Sequence, residues 1–417
     1  MSKLLIQGGK TLSGTVRISG AKNSAVAIIA ACILFRGETI LENVPKISDV
    51  QILLHIMEQL GAKIHWLNEE SVSIEVPDQI EYSARYEEVR SLRASNLLLG
   101  SLLGRCGKAE VALPGGCDLG PRPMDLHIKG FSKLGATVET KNDYIQAKAD
   151  HLTGAFIYLD FPSVGATENI MMAAAMAEGL TTIENVAKEP EIVDLANLLN
   201  SAGAKVRGAG TDIIKIEGVP ELRTPHHTII PDRIEAGTFL AAAAMTGSNL
   251  KLENVISAHL NPVIAKMRES GVIVRPNGSD IYVKGPNELK AVNVKTLAHP
   301  GFPTDMQPQI MSMLTIANGT STIVENLFEE RMKAAPELCK MGADITINGN
   351  IATVHGVKKL HGASVMAKDL RAGAALVIAA LAAEGETEIN GLTVIDRGYY
   401  QMEEKLAQLG ATVRRVD

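Results

Sequence analysis

Aromatic side chains are scarce, with 1 Trp, 7 Tyr and 7 Phe making up 4% of 417 residues. With so few stacking platforms and a formal net charge of −6, the chain lacks the basic, aromatic-laced surface that nucleic-acid recognition uses. An anionic membrane is an equally poor partner. The 4 cysteines, Cys32, Cys106, Cys117 and Cys339, are irregularly spaced and supply neither a disulfide framework nor a zinc site. The longest apolar runs, residues 25–35 and 372–383, fall short of the roughly 20 residues that span a bilayer. The opening Met1-Ser2-Lys3-Leu4 carries no signal-peptide core. The 10 histidines show no metal-ligand spacing, and His226-His227 reads as a solvated turn. No Gly-x-Ser-x-Gly elbow occurs. Gly8-Gly9-Lys10-Thr11 looks like the end of a P-loop, but the required first glycine falls on Leu4. With 46% hydrophobic and 21% charged residues, a folded, core-rich cytoplasmic protein of two or three domains is expected, without membrane insertion or nucleic-acid partner.

What is abundant is repetition. A small-residue motif recurs as Leu60-Gly61-Ala62, Leu134-Gly135-Ala136, Ala202-Gly203-Ala204, Ser270-Gly271-Val272, Met341-Gly342-Ala343 and Leu409-Gly410-Ala411. Its glycines step by 74, 68, 68, 71 and 68 residues. A second glycine precedes each one (Gly37, Gly107, Gly179, Gly247, Gly319, Gly385) in steps of 70, 72, 68, 72 and 66. Two markers holding one period define six copies of a unit of about 70 residues. Each unit reads as a buried Ala-rich helix, a strand, an amphipathic helix and a hairpin, or roughly βαβαββ. Over residues 48–60 the apolar Val50, Leu53, Leu54 and Met57 follow i, i+3, i+4, i+7, with Ser48 or Asp49 expected as N-cap.

One such unit is too small to bury its own helix, so the repeats must pack together. A return strand is present at residues 280–285 and 351–356, whereas the sixth unit stops at Asp417 without one. Residues 3–8 have the missing pattern, so the N-terminus is expected to complete the sixth unit. The expectation is an α/β fold of two three-repeat domains, residues 22–229 and residues 1–21 with 230–417, with a ligand cleft between them.

Counting back 37 to 42 residues from each repeat glycine reaches the start of the buried helix, at Lys22, Arg93, Ser163, Arg233, Asp305 and Arg371. Helix N-termini present unpaired N–H groups and partial positive charge. Lysine and arginine added there make a site for phosphates and carboxylates. Capping alone explains Ser or Asp at any one such position. Cations oppose the helix dipole, so their recurrence implies a negative group bound nearby.

Residues 114–123, Pro-Gly-Gly-Cys-Asp-Leu-Gly-Pro-Arg-Pro, hold three glycines and three prolines in ten positions, which specifies an exposed loop with unusual backbone angles. Cys32 and Cys106 sit in or beside apolar segments and read as packed thiols. Cys117 reads as reactive, with Arg122 near enough to favour its thiolate.

These residues carry a resemblance. Gly20-Ala21-Lys22-Asn23-Ser24, Leu92-Arg93-Ala94-Ser95, Leu113-Pro114-Gly115-Gly116-Cys117, Gly120-Pro121-Arg122-Pro123 and Ser163-Val164-Gly165-Ala166-Thr167 are similar to motifs of the UDP-N-acetylglucosamine enolpyruvyl transferases. So are Pro231-Asp232-Arg233-Ile234-Glu235-Ala236-Gly237, Phe302-Pro303-Thr304-Asp305-Met306, Asp369-Leu370-Arg371-Ala372 and Asp396-Arg397-Gly398-Tyr399. The resemblance runs from about residue 4 to 415 and touches all six repeats. It implies two inside-out α/β barrels, and transfer of the enolpyruvyl group of phosphoenolpyruvate to the 3′-hydroxyl of UDP-N-acetylglucosamine. That reaction is the first committed step of peptidoglycan synthesis, and no cofactor or metal is implied.

By the same resemblance Cys117 is the general acid, the site of a covalent phosphoenolpyruvate adduct and the target of fosfomycin, and its loop is a lid. Asp305 is the base near the attacking hydroxyl. Lys22, Arg122 and Arg397 hold the phosphate, with Arg331 and Arg371 near the carboxylate or the developing charge. Asn23, Arg93, Arg122, Pro123, Met124, Asp125, Leu126, Ser163, Val164, Gly165, Asp305 and Leu327 line the nucleotide-sugar site. Phe161-Pro162 stands where many relatives have a lysine followed by an apolar residue, which removes a cationic contact there. The rival readings are the shikimate-pathway enolpyruvyl transferase and a non-catalytic nucleotide-sugar binder. A Ser-Lys-Ser stretch would be expected for the former, where Ala21-Lys22-Asn23 stands.

Overall fold

The computed structural model describes residues 2–84, 89–90, 92–113 and 124–416. It forms two compact units, one of Met1–Ser19 with Pro231–Asp417, the other of Gly20–Cys117 with Pro121–Ile230. Among the described residues the strands make six separate four-stranded sheets, three in each unit.

Every sheet is built alike. In the first, Gly37–Glu42 pairs in parallel with His226–Thr228 and antiparallel with Val72–Val76, which pairs antiparallel with Lys63–Trp66. A parallel pair needs a crossover, and in four of the six sheets a buried helix joins the two parallel strands directly, as Val164–Ala174 does between Phe156–Tyr158 and Leu180–Glu184. Two first strands come from far along the chain: His226–Thr228 in that sheet, and Ser13–Arg17 beside Asn249–Glu253, with Val16 opposite Leu252. In a third sheet Lys3–Gln7 lies antiparallel between Glu386–Asn390 and Thr412–Val416, placing Leu4 opposite both Ile389 and Arg415.

His226-His227 is therefore strand and not a solvated turn. The His227 side chain turns inward, with Nε2 2.9 Å from Asp194 Oδ1. Three strand residues are too few to show alternation, and their partner strand stands 186 residues away.

The crossover helices form the cores. Every residue of Arg233–Met245 is buried, as is Ser24 through Ala31 of Lys22–Ala31. Small residues let these backbones approach: Leu98–Cys106 packs on Val164–Ala174 through Gly100, where an added Cβ would collide with the Asn169 carbonyl, and the alanine-rich Leu370–Ala382 packs on both Arg233–Met245 and Gln307–Leu314. At Gly237 the contact is so close that an added Cβ would lie 2.6 Å from Met306 Sδ. The amphipathic helix Ser48–Leu60 buries Val50, Leu53, Leu54, Ile56, Met57 and Leu60. Its N-cap is Ile47, without a side-chain cap. Asp49 does not cap, because its carboxylate is drawn to the Lys22 ammonium at 2.7 Å.

The marker glycines have a backbone reason. Both glycines of every repeat have positive φ, from 62° at Gly247 to 112° at Gly319, and the repeat glycine ends the amphipathic helix in the left-handed region. The structure also reveals a third marker that the glycine counts miss. Asn43, Asn185, Asn254 and Asn326 each donate from Nδ2 to the carbonyl of the residue just beyond a first strand: Ile229, Leu159, Ile18 and Thr296, at 2.7–2.9 Å. These bonds fix where the chain enters each crossover helix.

Candidate active site

Lys22 opens its helix with no side-chain cap beneath it. It is 13% exposed and Asp49 4%, so the ammonium is held by an almost fully buried carboxylate. Two residues on, Ser24 donates to Asp194, which also accepts from the Ile230 N–H at 3.3 Å and engages His227. This network pins the helix start carrying Lys22 and the half-buried Asn23 to the segment that follows His226–Thr228.

Three further elements of the same unit pack on one another, and the first of them also touches the helix of Lys22. Arg93 starts the 3-10 helix Arg93–Leu97, Met124 precedes Asp125–Lys133, and Ser163 caps Val164–Ala174 by accepting from the Ala166 N–H at 3.3 Å. Ser163 is itself held in a turn, its N–H donating to the Phe161 carbonyl at 2.7 Å. Buried amides join the three. Asn169 Oδ1 accepts from the Gly100 N–H at 2.7 Å, while Nδ2 donates to the Asn96 carbonyl at 3.1 Å and faces His127 Nδ1 at 2.9 Å. Asn96 in turn reaches Met124 Sδ at 3.4 Å.

The Asn169 oxygen is taken by an N–H, so its nitrogen faces His127. Nδ1 must then accept, and the ring proton sits on Nε2. Burial, and then the charge of Arg93, push the His127 pKa down to about 3, so the ring is neutral. It lies against Gly165, where a Cβ would stand 3.3 Å from Cε1 and 3.7 Å from Nε2. Sequence reading passed over His127; its signal was adjacency to Met124, Asp125 and Leu126. Cys117, Arg122 and Pro123 lie outside the described residues.

The second unit builds its cluster around Asp305, in the 3-10 turn Thr304–Met306 that leads into Gln307–Leu314. Oδ1 accepts from Arg331 Nη2 at 2.6 Å and Oδ2 from Arg371 Nη2 at 3.0 Å. The arginine side chains are 2% and 4% exposed, Asp305 26%, so the carboxylate looks outward with both cations behind it. Arg371 sits in the first turn of Leu370–Ala382, whose cap Asp369 accepts from the Arg371 and Ala372 N–H groups. Arg331 also donates from Nε to the Thr304 carbonyl at 3.1 Å. Glu325 ties Leu327 to the same place, accepting from the Leu327 N–H at 2.8 Å and from Thr304 Oγ1 at 3.0 Å. Arg397 stands half-buried in the turn after Leu392–Ile395.

Burial alone would raise the pKa of Asp305, but Arg371, Arg331 and Arg233 outweigh it and hold the group well below the usual carboxylate range. The two buried guanidinium groups carry N–H donors of the kind that recognise carboxylate and phosphate. The negative groups implied by basic helix starts are thus partly internal: Asp49 serves Lys22 and Asp305 serves Arg371. They were not visible as partners because each lies on a different element from its cation. No helix among the described residues is long and apolar enough to cross a membrane, nor do those residues hold a cluster of His, Cys, Asp and Glu suited to a metal.

Among the described residues, six four-stranded sheets with buried crossover helices, and two arginines gathered on one carboxylate, make up an α/β scaffold with a charged cluster at its helix starts. The sequence pattern of EPSP synthase (3-phosphoshikimate 1-carboxyvinyltransferase) matches residues 6–406, and the chain belongs to that family. A UDP-N-acetylglucosamine 1-carboxyvinyltransferase 1 from Caldanaerobacter subterraneus subsp. tengcongensis is 54% identical to it over 414 residues, covering 99% of each chain. The protein of the same name from Halalkalibacterium halodurans is 52% identical over 418 residues, covering 100% of this chain and 95% of its own. Among solved structures, the enolpyruvyl transferase NikO from Streptomyces tendae superposes with a TM-score of 0.91 at 28% identity, covering 100% and 99% of the two chains. EPSP synthase from Acinetobacter baumannii, at 20% identity and a TM-score of 0.77 with both chains fully covered, shares the fold.

Proposed function

We propose that this chain transfers the enolpyruvyl group of phosphoenolpyruvate to the 3′-hydroxyl of UDP-N-acetylglucosamine. The observation that carries the reading is identity of 52–54% along the whole chain to relatives named for that activity. In the addition, the donor methylene takes a proton as the hydroxyl oxygen bonds to C2. In the elimination, the new methyl gives up a proton as the C2–O bond to phosphate breaks. Cys117 supplies the first proton and carries the covalent adduct. Lys22, Arg122 and Arg397 hold the phosphate. Asn23, Arg93, Pro123, Met124, Asp125, Leu126, Ser163, Val164, Gly165 and Leu327 receive the nucleotide sugar.

Asp305 receives the hydroxyl proton. A carboxylate bound to two guanidinium groups is a weak base. When the donor's carboxylate and phosphate arrive, Arg331 and Arg371 share their N–H groups with new anions, and Asp305 gains basicity as its own hold weakens. The same arginines then face the charge that develops in the tetrahedral intermediate.

Phosphate release requiring both substrates tests the reading, and release with shikimate 3-phosphate in place of the nucleotide sugar would overturn it. Cys117→Ser and Asp305→Ala are each expected to lower kcat by about 10²–10⁴-fold, the range typical of lost general acid–base catalysis. Fosfomycin should abolish release from the native enzyme by alkylating Cys117. Persistence of full turnover in both variants would remove the two residues from these roles.

A further inference from the structure

Tyr399 takes no part in the roles just assigned, yet it is 3% exposed and sits where three crossover helices begin. Its hydroxyl is 2.9 Å from Thr238 Oγ1 on Arg233–Met245 and 3.2 Å from Gln309 Nε2 on Gln307–Leu314. The proton positions follow from the partners. Thr238 Oγ1 gives its hydrogen to the Ile234 carbonyl at 2.8 Å, so the phenol donates to Thr238 and accepts from the Gln309 amide. Both bonds lock the ring. Over its face lies the Arg371 guanidinium, 5.6 Å from the centroid, and Arg371 Nη2 is the group that donates to Asp305 Oδ2 at 3.0 Å. Arg371 Nη1 is buried with no hydrogen-bond partner. The guanidinium is therefore held chiefly by Asp305 on one side and the Tyr399 ring on the other.

We propose that Tyr399 is a positioning residue which, through Arg371, fixes the Asp305 carboxylate and sets its readiness to accept a proton. The inference rests on the role given to Asp305 above. The charged and titratable groups around this pair are Arg331, Arg371 and Arg233 facing Asp305, with Asp232, Asp369 and Tyr399 beside Arg371 and Glu325 bonded to Thr304. Only the Arg371 contact passes through the phenol. Burial raises the Tyr399 pKa, so the phenol stays protonated and its polarity is constant across the working pH range. A cation over an aromatic face is attracted by the ring quadrupole, more strongly when water is excluded as it is here. When the ring is removed, Arg371 loses its floor and its hold on Oδ2 loosens. Asp305 then sheds part of the interaction that keeps it ionised, and its pKa rises.

The test compares Tyr399→Leu, which removes ring and hydroxyl, with Tyr399→Phe, which keeps the ring and removes the hydroxyl with its contacts to Thr238, Gln309 and Arg371. Full-length protein carrying ¹³C-labelled aspartate reports the Asp305 carboxyl by NMR, assigned with Asp305→Asn, and needs no substrate. Circular dichroism confirms that each variant is folded. In the native protein the Asp305 signal should stay that of an ionised carboxylate down to the acid limit of folding. Tyr399→Leu should raise the Asp305 titration into the pH range of the folded protein, and Tyr399→Phe should raise it less. The acid limb of the kcat profile for phosphate release should move upward in step, while KM for the nucleotide sugar stays within twofold. An unmoved Asp305 titration in folded Tyr399→Leu overturns the proposal, as does a loss of kcat with no shift of the acid limb. Native protein inactive with both substrates would instead overturn the assigned reaction, and the carboxyl titration would still decide the role of Tyr399.

Discussion

Lys22 and Asp49 are a buried charge pair, and removal of one partner should cost far more than removal of both. Asp49→Ala leaves an ammonium of 13% exposure without its carboxylate, an expected loss of about 3–5 kcal/mol in urea unfolding. The double variant Lys22→Ala with Asp49→Ala should recover most of that stability while remaining inactive. His127 makes a second prediction at this scale. Its pKa is pushed down to about 3 by burial and by Arg93, whereas an unfolded histidine titrates near 6.5. The folded state thus favours the neutral ring. That contribution is complete above about pH 6.5 and is lost as pH falls toward 3, at roughly 1.4 kcal/mol per unit. Unfolding free energy measured from pH 7 to 4.5 should fall less steeply in His127→Gln than in the native protein. Lys22, Asp305 and Arg371 were legible because the repeat places them at equivalent helix starts. Asp49, His127 and His227 were not, since each acquires its role from a partner brought close only by folding.

Elements are bounded here by backbone conformation. Gly61 has φ 111°, and a Cβ placed there meets nothing within 4 Å. Gly61→Ala therefore isolates the backbone term, with an expected cost of about 1 kcal/mol and unchanged kcat. Asn185→Ala removes the bond to the Leu159 carbonyl at 2.7 Å. It should lower stability by about 1–2 kcal/mol and loosen the entry to the helix that Ser163 caps, visible as faster amide exchange over residues 159–166. The glycine spacing made six repeats readable, because left-handed residues are the ones sequence marks most plainly. The Glu-Asn pairs at 42–43, 184–185, 253–254 and 325–326 mark the same units. Their meaning depends on carbonyls supplied by another strand, which spacing alone does not display.

At the scale of the whole molecule, the need for residues 3–8 in the last repeat could be inferred from a missing strand. The three residues His226–Thr228 gave no such signal, being too few to carry a pattern. Deleting residues 2–7 should leave Glu386–Asn390 and Thr412–Val416 without the strand between them. Hydrogen exchange should then rise at 386–390 and 412–416 and remain low through Gly37–Glu42 and Val72–Val76 in the other unit.

The pairing of Lys3–Gln7 and Ser13–Arg17 with strands from residues 249–253, 386–390 and 412–416 also sets an order of events during translation. The stretch from Gly20 to Ile230 acquires its last strand as soon as Thr228 has emerged and can fold while synthesis continues. Ser13–Arg17 must wait for Asn249–Glu253, and Lys3–Gln7 for Glu386–Asn390 and Thr412–Val416, all of which are made much later. At ~5–20 residues per second, Lys3–Gln7 waits roughly 20–80 s for its neighbours. Through that interval the nascent chain carries an unmatched β-segment, open to capture by chaperones.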